Sequence, residues 1–145
     1  MLRAEGDLRN RPFIVAWSRE HHASALADPD IGHLIIERAE DAEPVGFVLL
    51  AGLASPHRTI ELRRIVVTSK RRGYGREAVR AVKRLAFVER GAHRLWLDVK
   101  EGNERARRLY GSEGFVIEGV LRECLESDGR FESLVVMSML ESEYR

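Results

Sequence analysis

Between Gly75 and Ala86 the apolar residues Ala78, Val79, Val82, Leu85 and Ala86 recur three and four apart. That spacing puts them on one stripe of a helix, with Arg76, Glu77, Arg80, Lys83 and Arg84 largely on the other side. Gly91 ends the helix. Ahead of it the pattern differs. His33–Arg38, Val45–Leu53 and Thr59–Val67 are rich in β-branched and aliphatic residues and predict three strands. Asp28-Pro29-Asp30 marks the turn before them. Pro12 suits a first helical turn, so Phe13, Ile14, Ala16 and Trp17 are assigned to a short helix. A second helix runs from the N-cap Ser18 to about Ala27. After Gly91, His93–Val99 predicts a strand. Asn103–Glu113 predicts a helix with Asn103 as N-cap and Gly114 as its stop. Phe115–Leu125 and Phe131–Leu140 predict a hairpin around Ser127-Asp128-Gly129. The order is helices, three strands, helix, strand, helix, two strands. It predicts an α/β domain on a mixed sheet, with a parallel crossover at the long helix.

Composition narrows the class. The 145 residues fit one domain spanning 1–145. The 44% apolar and 32% charged fractions exclude a disordered tail, a collagen-like repeat and a coiled rod. Lys and Arg total 24 against 23 Asp and Glu, which argues against a globally basic nucleic-acid binder. The single Cys124 excludes an intramolecular disulfide and a multi-cysteine zinc site. His21, His22, His33, His57 and His93 show no metal-ligand spacing, and no Ser-His-Asp constellation is readable, so no metal is expected. No apolar run approaches the roughly 18 residues that span a membrane. Residues Met1 to Asp7 carry charge and no apolar signal region. The expectation is a soluble, cytoplasmic protein.

The chemistry starts at residues Arg63 to Arg76. They carry six basic residues and no acidic one, between an apolar strand and a helix. A helix N-terminus presents unpaired N–H groups and a partial positive charge, which favours phosphate. Gly73 and Gly75 let the backbone come close, and Lys70, Arg71, Arg72 and Arg76 add charge. The same residues would also make an ordinary solvated loop. Gly73-Tyr74-Gly75-Arg76-Glu77-Ala78 formally matches the dinucleotide fingerprint, with Asp98 about 20 residues on. That motif places its first glycine directly after the strand, whereas Thr68 to Arg72 intervene here. GxxxxGK[ST] is absent. An RNA-binding patch is the other reading. The 7% aromatic content and the lack of a stacking platform argue against it.

Lys70-Arg71-Arg72-Gly73-Tyr74-Gly75 resembles the R/Q-x-x-G-x-G/A motif of the GNAT N-acetyltransferases, with Lys70 where Arg or Gln is usual. Asn103, Ala106, Tyr110, Gly114 and Phe115 resemble the family's N-x-x-A-x-x-x-Y-x-x-x-G-F segment at full spacing. His93–Val99 and Glu118–Arg122 look like the RimJ/RimL-like subgroup that acetylates ribosomal-protein N-termini. The resemblance spans about Val45 to Leu140. It implies a mostly antiparallel sheet of six to seven strands with a central parallel pair that splays apart, flanked by helices.

It also implies roles. Acetyl-CoA would lie in the splay, with Ile65, Val66 and Val67 binding it through main chain. The pyrophosphate would sit on the N–H groups of Arg72, Gly73, Tyr74, Gly75 and Arg76, with Lys70 and Arg71 adding charge to the same cofactor site. Asn103 would act near the pantetheine or a water, or serve as a plain N-cap. Tyr110 would protonate the departing thiolate, or only fill the core. Glu61 would be the base for the acceptor ammonium, or a strand carboxylate paired with Arg63 or Arg122. Glu118 and Asp98 are further candidates. The implied activity is direct transfer of acetyl to a primary amine, on a protein N-terminus or a small molecule. A non-catalytic acyl-CoA sensor is the alternative. The exposed edge of the C-terminal hairpin offers a homodimer contact.

Overall fold

The computed structural model describes residues 13–17, 28–38, 40–67 and 73–145. Its strands are β1 (Phe13–Trp17), β2 (Gly32–Arg38), β3 (Pro44–Ala51), β4 (Thr59–Val67), β5 (Arg94–Lys100), β6 (Val116–Ser127) and β7 (Arg130–Leu140). They form one sheet in the order β1-β2-β3-β4-β5-β7-β6. Every neighbouring pair is antiparallel except β4 with β5. Helix α1 (Tyr74–Arg84) links that parallel pair and runs on into a wider π-helical turn, Leu85–Glu89. Helix α2 (Glu104–Ser112) follows β5. The mixed sheet, the crossover and the hairpin agree with expectation.

Phe13–Trp17 is a strand and not the helix expected after Pro12. It pairs with β2 from Phe13 opposite Arg38 to Trp17 opposite Leu34. Its residues are mostly aromatic or β-branched, which suits a pleated surface. The free edge of β2 supplies the partner that a local pattern cannot announce. The helix expected from Ser18 to Ala27 lies outside the described residues, as do Lys70, Arg71 and Arg72.

The core lies between one sheet face and the helices. Leu34, Ile36, Val48, Leu50, Ile60, Leu62, Leu95, Leu97 and Met137 meet Ala78, Val79, Val82 and Ala86 of the helical stripe. Each fully buried Leu or Ile contributes about 1.5–3 kcal/mol. At the far end Asp128 (φ 52) and Gly129 (φ 76) close the β6–β7 hairpin, a two-residue turn whose twist matches its strands. β6 is the outer strand, and Val116, Ile117, Val120 and Leu121 are exposed on it.

One irregularity shapes the centre. Leu50 faces Leu62 and Leu49 faces Arg64, so Arg63 is an extra residue in β4. This bulge reverses the alternation. Ile60 and Leu62 enter the core before it, and Ile65 and Val67 pack against the core after it. Gly46 of β3 makes the arrangement possible. A Cβ there would stand 2.1 Å from the Val66 carbonyl oxygen. Gly46→Ala must therefore push β4 aside. It is expected to cost about 1–3 kcal/mol, the range for overpacking. Thermal unfolding checks this, and an unchanged midpoint would show that β4 is not held there.

Candidate active site

The β4–β5 ladder is short. Thr59 faces Arg94, Ile60 faces Leu95 and Glu61 faces Trp96, and there the pairing ends. β4 continues to Val67, paired only with β3, while β5 continues to Lys100, paired with β7. The backbone groups of Arg63 to Val67 that point toward β5 are left outside this ladder. Ile65, Val66 and Val67 therefore line a splay with main-chain donors and acceptors. Their side chains do not compete for that role, since Ile65 and Val67 pack against the core.

Glu61 occupies the last paired position before the splay. Ile60 and Leu62 on either side are buried in the core, so Glu61 projects from the opposite face of the sheet. Its side chain is 16% exposed, and Oε1 accepts from Arg63 Nη2 at 3.1 Å. Of the two partners expected, Arg63 is the one found. Trp96 stands directly across from Glu61, with the Arg94 guanidinium 5.6 Å from its ring centre. Asp98 follows on the same face of β5. Sequence reasoning passed over Trp96. Its place between the core residues Leu95 and Leu97 was legible, but its neighbour across the sheet was not. Glu118 is poorly suited to act as the base. Hydrogen bonds from Ser138 and then Arg94 hold its carboxyl below the usual carboxylate range.

Helix α1 begins at Gly73, whose φ of 73 suits glycine, and no side chain caps the first turn. The first N–H groups of a helix lack intrahelical partners and attract anions. At Gly75 a Cβ would meet Leu109 Cδ2 at an ordinary 3.6 Å. The fold itself tolerates a side chain there, which leaves the bare position available to a ligand. Two side chains near this turn have partners of their own. The Tyr74 ring is 1% exposed and belongs to the core. Only its main chain can face a phosphate. The Arg76 guanidinium is also engaged, donating to Glu113 Oε2 at 2.6 Å and Ser112 Oγ at 2.9 Å. These bonds use Nη1, and the Arg76 side chain stays 42% exposed. Glu113 was the second residue missed. Nothing local distinguishes it from a solvated helix-end carboxylate.

Tyr110 of α2 lies in the core cluster, edge-on to Phe115 with centroids 5.8 Å apart. Burial pushes its hydroxyl above the ordinary 10.0, so it keeps its proton at neutral pH. Tyr110 approaches the sheet from the helix side and Glu61 projects from the other. Asn103 caps α2, its Oδ1 accepting from the Ala106 N–H at 3.1 Å. The described residues hold no cluster of three or more His, Cys, Asp or Glu fit for a metal. None of their helices is long and apolar enough to cross a membrane.

Comparison with known proteins points one way. Residues 3–115 match the profile described as the acetyltransferase (GNAT) family. Spermidine N(1)-acetyltransferase of Vibrio cholerae is 31% identical over 157 residues, covering 96% of this chain and 90% of the relative. The enzyme of that name from Escherichia coli K12 is 29% identical over 107 residues, covering 72% of this chain and 56% of the relative. The crystal structure of the Vibrio cholerae spermidine N-acetyltransferase with CoA and spermine superposes with a TM-score of 0.78 at 26% identity. It covers 86% of this chain and 74% of that one. The ribosomal-protein subgroup rests only on the segments His93–Val99 and Glu118–Arg122, and these relatives do not carry that name.

Proposed function

The chain belongs to the acetyltransferase (GNAT) family, and from that premise we propose that it moves acetyl from acetyl-CoA to a primary amine of a small polyamine-like cation. The observation that carries this reading is the place of Glu61, at the point where β4 and β5 part. Family members take their acetyl group from acetyl-CoA, and the residues here fit that co-substrate. The main chain of Ile65 to Val67 offers bonds to the pantetheine amides. The uncapped first turn of α1, from Gly73 to Arg76, suits the diphosphate. Lys70, Arg71 and Arg72, just ahead of it in sequence, belong to the same proposal through their charge alone.

Glu61 takes a proton from the acceptor ammonium, directly or through water, and the freed amine attacks the thioester carbonyl. The N–H near Val67 polarises that carbonyl. Tyr110 gives its proton to the departing sulfur. No acetyl-enzyme forms, and holding both reactants in the splay supplies much of the acceleration. Glu61, Trp96 and Asp98 share one sheet face, where two carboxylates and an aromatic ring suit a cation. The named relatives support a polyamine over a protein N-terminus. A homodimer along the exposed β6 edge is part of the same reading.

The test is CoA release in the presence of spermidine, spermine and short peptides with free N-termini. Thermal unfolding with acetyl-CoA runs alongside. Saturation at a hundredfold excess over Kd should add about 2.7 kcal/mol of stability. Turnover with the polyamines is the expected result. Turnover with peptides alone would move the acceptor to a protein N-terminus. Stabilisation without turnover on any amine would make the chain an acyl-CoA sensor.

A further inference from the structure

α2 ends in a carboxylate that the proposed reaction does not use. The Glu113 side chain is only 4% exposed, and three cations from one row of α1 converge on it. Arg76 Nη1 lies 2.6 Å from Oε2, Arg80 Nε 3.1 Å from Oε1, and Lys83 Nζ 3.1 Å from Oε1. Lys83 also donates to the Glu113 main-chain carbonyl at 2.7 Å. Spacings of four and three residues stack these side chains along the helix. Burial pushes the Glu113 carboxyl up, but the bonds from Arg80, Arg76 and Lys83 outweigh it and hold the group below its ordinary range. Three cations exceed what one carboxylate needs. The partial negative charge at the C-terminal end of α2 offsets part of the surplus.

The place of the cluster matters more than its strength. Arg76 lies in the first turn of α1, the turn assigned to the diphosphate. A Cβ at Gly75 would stand 3.6 Å from Leu109 Cδ2, so Leu109 lies beside that turn, and Tyr110 is the next residue. One carboxylate thus ties the phosphate-binding turn to the segment that carries the assigned acid. We propose that Glu113 is a positioning residue for acetyl-CoA, holding the first turn of α1 in register with Tyr110. This rests on the acetyl-CoA reading above.

Calorimetric binding of CoA and of pantetheine, which lacks the diphosphate, separates the roles. Wild type, Glu113→Gln and Glu113→Asp are compared, with thermal unfolding of each. Glu113→Gln should weaken CoA by about tenfold or more, as misplacement of a positioning group does. Pantetheine binding should be unchanged, and Glu113→Asp should recover part of the loss. If Glu113→Gln does not fold, Glu113→Asp carries the same comparison. Equal losses for both ligands, or no loss for CoA, would overturn the proposal and leave Glu113 a stabilising residue only. A wild type that prefers CoA no better than pantetheine would remove the diphosphate from α1 and end the underlying reading as well.

Discussion

Glu61→Gln is expected to lower kcat by about a hundredfold or more, the range of a lost general base. That corresponds to about 2.7 kcal/mol of transition-state stabilisation. Binding of CoA should be kept, since Glu61 projects from the face away from the helices. The variant also has a pH signature. Without a base, only acceptor already present as neutral amine can react. Primary amines titrate near 10.4, so that fraction grows about tenfold per pH unit below it. The rate of the variant should climb with pH while the wild type changes less. A misfolded variant would not be rescued this way. Wild-type turnover by Glu61→Gln at neutral pH would take the proton from Glu61 and direct the search to Asp98.

Tyr110→Phe is expected to lower kcat by about tenfold to a hundredfold, with the Kd for CoA and the unfolding midpoint near wild type. The ring stays, so its edge contact with Phe115 stays. Only the hydroxyl is lost, and with it the proton for the departing thiolate. The sign of the pH effect follows from burial. A hydroxyl held above 10.0 is protonated throughout the neutral range. Wild-type kcat should therefore fall only on the far alkaline side, as the phenol ionises, and the variant should lack that limb. Unchanged kcat in Tyr110→Phe would reduce Tyr110 to a core residue whose place beside the cleft is incidental.

Glu61 and Tyr110 lie on opposite sides of the sheet, and this could not be read along the chain. Glu61 and Tyr110 are almost fifty residues apart in sequence. Which face each takes depends on the β4 alternation and on the packing of α2. The early end of the β4–β5 ladder at Glu61 and Trp96 is likewise a tertiary outcome. The bulge at Arg63 contributes by turning Ile65 and Val67 into the core, and it depends in turn on the bare Gly46.

Other features were legible because they are local. The stripe from Ala78 to Ala86 predicted the face that α1 buries. Asn103 predicted the cap it makes. Asp128-Gly129 predicted the turn it forms, since two successive residues at φ > 0 are a short-range requirement. The glycine-containing passage from strand to helix predicted a helix start, and Gly73 stands at it.

The sequence by itself therefore determined most of the described elements and the Asn103 cap of α2, set by interactions within a few residues. Tertiary structure alone decided that Phe13–Trp17 is a strand, that Arg76 serves Glu113, that the Tyr74 ring is core and that Trp96 faces Glu61. Each of those outcomes depends on a partner distant in sequence. A residue's periodicity fixes which way its side chain points, but not what the fold places there to meet it.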